Sequence, residues 1–115
     1  MNSVIIYGKL SIVITKVVIN EKIQSQLDKD IKSGKFAKEV RELIAFWKSE
    51  IEDLGYEEYI VSLFAVSLED HQLAGKRQGE RSIILNQTGG RLIYKYYKNK
   101  IVVKVIKITP DHDYN

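Results

Sequence analysis

The chain has 115 residues, 44% hydrophobic and 29% charged, with one proline, no cysteine and a formal net charge of +3. This mixture predicts one folded domain over residues 1–115 and excludes a disordered chain, a disulfide-stapled scaffold and a thiolate metal site. The apolar residues after Met1 are interrupted by Lys9 and Lys16, with no small-residue cleavage site after them, so neither a secretory leader nor a membrane span is expected, and the reading is cytoplasmic.

In chain order, Val4 to Ile19 is β-branched and reads as one long strand or as a hairpin turning at Gly8-Lys9. Asn20 is a candidate N-cap, and Ile23, Leu27 and Ile31 recur every four residues, which predicts a helix over 21–32. Ser33-Gly34 breaks it. Phe36, Val40, Leu43, Ile44, Trp47, Ile51 and Leu54 then form one apolar stripe at helical period, with Trp47 in the core and Gly55 placed for a left-handed cap. The two helices read as a helical hairpin.

Tyr56 to Leu68 reads as a short helix or ordered loop, and Glu69 to Gln72 as a polar connection. Three strands follow, Ser82–Asn86, Arg91–Tyr97 and Ile101–Thr109, separated by the turn Asn86-Gln87-Thr88-Gly89-Gly90 and by a tight turn in which Asn99 tolerates positive φ. Strands in this order give a three-stranded antiparallel meander, and helices gathered on one face give an α+β two-layer domain.

Charge is divided along the chain. Residues 71–115 carry nine Lys/Arg against three acids, a net of +6, while residues 1–70 carry nine against twelve. That asymmetry points to a polyanionic partner. Period-2 alternation sets Arg91, Ile93, Lys95 and Tyr97 on one side of their strand. Cations that hold phosphates beside an aromatic that stacks on bases suit RNA; the plainer reading is a solubilised sheet face. Three of the four arginines, Arg77, Arg81 and Arg91, lie within fifteen residues. His71 and His112 are too far apart in sequence to suggest a metal site, and no phosphate-binding glycine loop is present. No metal and no cofactor are expected.

The stretch Leu73-Ala74-Gly75-Lys76-Arg77-Gln78-Gly79-Glu80-Arg81-Ser82-Ile83, then Gly90-Arg91-Leu92-Ile93-Tyr94, then His112-Asp113-Tyr114, resembles the RelE/ParE superfamily of type II toxin–antitoxin toxins, in its HigB-like or RelE-like branch. The order of elements is similar too. The resemblance implies a two-layer RelE-like fold and a metal-independent, ribosome-dependent mRNA endonuclease that blocks translation. In such chemistry the RNA's own 2′-hydroxyl attacks the adjacent phosphodiester.

It implies transition-state charge stabilisation by Arg91 and Arg81, RNA binding by Lys76 and Arg77, and acid–base or base-stacking roles for His112 and Tyr114. Lys95 and Tyr97 join the RNA-binding set through their place beside Arg91. The acidic residue and proline that many relatives carry before the Leu-x-Gly are His71 and Gln72 here, so the general base falls to His71, Glu69 or Glu80. A second strand cation of the family is replaced by Ile84. The implied partners are mRNA on the ribosome and a cognate antitoxin, a helix-turn-helix protein, with no membrane. A gyrase inhibitor of the same fold and a binding-only member are the competing readings.

Overall fold

The computed structural model describes residues 3–7 and 10–111. The N-terminal β-branched run is a hairpin followed by a third strand. Strand β1 (Ser3–Tyr7) pairs antiparallel with β2 (Leu10–Ile14), from Ser3 opposite Ile14 to Tyr7 opposite Leu10. The expected turn at Gly8-Lys9 lies outside the described residues. Strand β3 (Lys16–Val18) then enters the main sheet.

Asn20 caps helix α1 (Glu21–Lys32), its Oδ1 accepting the Ile23 N–H at 2.8 Å. Gly34, at φ 83°, turns the chain out of it. Phe36 is buried but precedes α2 (Glu39–Leu54), so the predicted stripe begins one turn before the helix does. Val40, Ile44, Trp47 and Ile51 carry the stripe into the core, and Trp47 is completely buried. Gly55 ends α2 at positive φ, as expected. However, its ψ of 154° is extended, so this is not the left-handed cap predicted. Two five-residue helices follow, α3 (Tyr56–Ile60) and α4 (Leu63–Ser67).

The polar connection at 69–72 contains a strand. Strand β4 (His71–Gln72) pairs antiparallel with β5 (Arg81–Ile84). Strand β5 starts and ends earlier than the sequence predicts, because Asn86 turns the chain. Its Oδ1 accepts from the backbone N–H groups of Thr88 and Gly90. Strand β6 (Arg91–Tyr97) has the predicted bounds, and β7 (Val102–Thr109) begins one residue late. The positive φ expected at Asn99 occurs instead at Ile101, at 53°. A β-branched residue resists that conformation. Here the carbonyl of Ile101 accepts the Lys16 N–H at 3.2 Å and opens the pairing of β3 with β7.

The sheet order is β3-β7-β6-β5-β4. Strands β5 to β7 form the expected antiparallel meander and β4 adds to it antiparallel, whereas β3 lies parallel to β7, so the sheet is mixed. The helices pack on one face over Ile83, Leu92, Tyr94, Val103, Val105 and Ile108, forming a single core. This is the expected α+β two-layer arrangement.

Candidate nucleic-acid interface

Strand register decides which side chains share the face turned away from the helices. Leu92 and Tyr94 enter the core, so Arg91, Ile93, Lys95 and Tyr97 lie on the other face. Across the strands, His71 pairs with Ser82, Ser82 with Ile93, and Ile93 with Lys107. His71, Ser82, Ile93 and Lys107 therefore form one row on that face. The next row runs Ile84, Arg91, Thr109, and on the other side of the first lie Lys95 and Lys104.

Lys107 reaches this face through a β-bulge. Ile93 pairs with Lys107 and Tyr94 with Val105, so Ile106 is an extra residue in β7. Without it, Lys107 would share the core side with Val103 and Val105. Strict alternation along β7 misassigns Lys107, and no residue type in the sequence marks the bulge.

Strands β3 to β7 contain no acidic residue. Lys16, Arg91, Lys95, Lys104 and Lys107 are on the face away from the helices, and Lys95 Nζ lies 5.2 Å from the centre of the Tyr97 ring. Among the described residues Arg91 has no carboxylate within ion-pair distance, and its Nη1 donates to the Gly90 carbonyl at 2.9 Å. The helical layer leans the other way: residues 21–68 carry ten acids against seven Lys/Arg. One molecule thus has a cationic sheet face and an anionic helical side.

The β4–β5 loop carries Lys76 and Arg77 in a single 3-10 turn, Gly75–Arg77, beside the end of the sheet that carries Lys95 and Tyr97. Lys76 is exposed, while Arg77 Nη1 donates to Glu80 Oε1 at 2.7 Å. At the other end, β7 stops at Thr109, opposite Arg91. His112 and Tyr114 follow within five residues and lie outside the described residues.

Arg81 does not join Arg91. Its register partner is Tyr94, which places it on the core face. Its Nε donates to Asp70 Oδ1 at 2.7 Å, and the Asp70 side chain is only 1% exposed. Burial alone would lower the basicity of Arg81, but its hydrogen bond and attraction to Asp70 raise it overall.

Asp70 also accepts at Oδ2 from Tyr94 Oη at 2.6 Å and from Tyr59 Oη at 2.7 Å. Since Tyr94 spends its proton on Asp70, Tyr56 must donate across the 3.0 Å Tyr56–Tyr94 contact. Trp47 Nε1 donates to Tyr59 Oη at 2.9 Å. All these donors point toward one carboxylate. Burial, reinforced by the negative charge of Asp70, holds Tyr59 and Tyr94 far above the ordinary tyrosine range. Reading Tyr56 to Leu68 as a short helix or ordered loop misses the acceptor that Tyr59 reaches directly and Tyr56 through Tyr94. The available signal was that a buried phenol needs a hydrogen-bond partner.

His71 is exposed on the sheet's outer face, and its Nδ1 donates to the Glu69 carbonyl at 2.7 Å. Neighbouring strands are about 4.8 Å apart, so His71 and Arg91, two strands and one row apart, are separated by roughly 12 Å at Cα. Two side chains of their length can flank one phosphodiester across that gap. Among the described residues, then, register gathers His71, Arg91, Lys95 and Tyr97 on one face, adds Lys104 and Lys107, and leaves Arg81 on the other.

No protein-family model matches this chain, and no curated protein matches it. Among solved structures, the solution structure of the conserved hypothetical protein HP0892 from Helicobacter pylori is similar, with a TM-score of 0.51 and 17% sequence identity, covering 85% of this chain and 94% of that one. At that identity the likeness concerns the fold. No helix among the described residues is long and apolar enough to cross a membrane.

Proposed function

We propose that this chain is the toxin of a type II toxin–antitoxin system and acts as an mRNA endonuclease on the ribosome. The observation that carries the reading is the outer sheet face, where Arg91, Lys95, Lys104 and Lys107 surround Ile93 with no acid on any of strands β3 to β7. Such a face attracts a phosphate backbone, and Tyr97 offers a stacking surface for a base.

In the proposed reaction the 2′-oxygen of the RNA attacks the adjacent phosphorus. The P–O5′ bond breaks, leaving a 2′,3′-cyclic phosphate and a free 5′-hydroxyl. His71 takes the proton from the 2′-hydroxyl, and Arg91 with Lys107 stabilises charge on the phosphorane oxygens. His112 or Tyr114 returns a proton to the departing O5′, as the family resemblance implies. Lys76 and Arg77 hold flanking phosphates. A cognate helix-turn-helix antitoxin masks the cationic face, with an affinity that weakens in salt.

The test is transcript 5′-end mapping after brief induction of the wild-type chain and of Arg91→Ala. New ends within translated codons, absent in the variant, are expected. Growth arrest without new ends overturns the nuclease reading in favour of gyrase inhibition. Neither arrest nor cleavage leaves a binding-only protein.

A further inference from the structure

His71 is exposed, yet its ring is held. Its Nδ1 lies 2.7 Å from the carbonyl oxygen of Glu69, two residues earlier. A carbonyl only accepts, so Nδ1 carries a proton. In the neutral ring, Nε2 then has the lone pair and faces outward as a proton acceptor. Free imidazole side chains favour the opposite tautomer, so this arrangement depends on the direction of the Glu69 carbonyl.

Two features set that direction. Glu69 is one of two described non-glycine residues with positive φ, at 52°. A side-chain-bearing residue keeps such a backbone only where its surroundings enforce it. The end of α4 sets the bend, the Glu69 N–H donating to the Val66 carbonyl at 2.9 Å as in a left-handed helix cap, and the next residue anchors it. Asp70 turns inward where His71 turns outward, and its side chain is fixed by Tyr59 from α3, Arg81 from β5 and Tyr94 from β6. Its backbone N–H also donates to the Ala65 carbonyl at 3.1 Å. One buried carboxylate thus ties three elements together immediately before the exposed histidine.

We infer that Asp70 is a positioning residue, and that the Glu69–Asp70 bend presents His71 as a base with Nε2 free to accept the proton of the attacking 2′-hydroxyl. This inference rests on the RNA-cleaving reading, but its central element, the tautomer, is readable without any activity.

The test uses the full chain labelled with 15N. Two-bond 1H–15N spectra report the tautomer of each histidine, and His71→Gln assigns the His71 signals because only two histidines are present. Wild-type His71 is expected to be mainly the Nδ1–H tautomer. Asp70→Asn is expected to shift it toward Nε2–H and to lower the cleavage rate constant by roughly tenfold or more, with RNA affinity changed less than about twofold. If Asp70→Asn does not fold, Tyr94→Phe and Arg81→Lys weaken the anchor one donor at a time and should shift the tautomer by degrees.

A wild-type His71 in the Nε2–H form overturns the inference. So does an unchanged tautomer and rate constant in every folded anchor variant. Wild-type protein that shows the Nδ1–H form but cleaves no translated RNA overturns the functional reading, and leaves the structural device standing.

Discussion

Arg81 and Arg91 stand on opposite faces of the same sheet. Arg81 is opposite Tyr94 and bonded to Asp70, while Arg91 is opposite Ile84 and has no carboxylate partner among the described residues. Two arginines with similar standing in the sequence therefore have separable consequences. Arg81→Ala strands a carboxylate that is 1% exposed, and should cost about 3 kcal/mol; this is near the low end for a broken buried pair because the guanidinium is 21% exposed. Arg91→Ala should change stability by less than about 0.5 kcal/mol and lower RNA cleavage by roughly a hundredfold or more. Urea denaturation and cleavage assays on both variants check the pair of outcomes. Equal stability losses would contradict the register assignment.

Lys104→Ala and Lys107→Ala test whether the outer face follows the backbone of single-stranded RNA. Each lost phosphate contact should flatten the slope of log affinity against log salt by about 0.7. Lys48→Ala, in α2 on the helical side, should leave the slope unchanged. Titrations at several salt concentrations distinguish a docking face from cations that only keep the protein soluble.

The tyrosine cluster predicts an alkaline limit. Burial raises Tyr56, Tyr59 and Tyr94 above the ordinary 10.0, so the folded protein keeps these protons at a pH where the unfolded chain releases them. Their contribution is complete below about pH 10 and is lost as pH rises further. The loss is about 1.4 kcal/mol per pH unit for each tyrosine that stays protonated in the fold. Tyr94→Phe should reduce the steepness by about one proton, read from urea midpoints between pH 8 and 11. Identical slopes in the two proteins would show that Tyr94 does not take part.

Gly90 leaves no room for a side chain. A Cβ there would lie 2.7 Å from Phe36 Cε1 and 2.9 Å from both side-chain termini of Asn86. Asn86 is already engaged with the Gly90 and Thr88 N–H groups, so it cannot yield without losing the turn. Gly90→Ala should cost about 1–3 kcal/mol. Phe36→Leu in the same chain should recover part of that cost, and a double-mutant cycle measures how much.

The sequence made some of this legible for physical reasons. Residues 21–32 are a helix because the Asn20 cap and the four-residue spacing of Ile23, Leu27 and Ile31 agree. Strand β6 was bounded by turn chemistry on both sides, and its faces followed period 2 because the bulge falls on its neighbour. What was hidden depended on partners distant in the chain. The parallel pairing of β3 is invisible within a continuous β-branched run. Ile106 looks like any strand isoleucine. Asp70 looked solvated among Glu69, His71 and Gln72, because its donors are Tyr59, Arg81 and Tyr94, up to twenty-four residues away. His112 and Tyr114 lie outside the described residues, so their part rests on the family resemblance.

The separation of charge between the two layers acts before any contact forms. With cations on the sheet face and ten acids against seven Lys/Arg in the helical layer, residues 21–68, the molecule has an electric dipole across its thickness. A polyanion exerts a torque on such a body, turning the Arg91 face inward and the helical side outward. Orientation is thereby settled during approach. An encounter that begins with the wrong side is corrected by rotation, without dissociation, and this advantage shrinks as added salt shortens the range of the field.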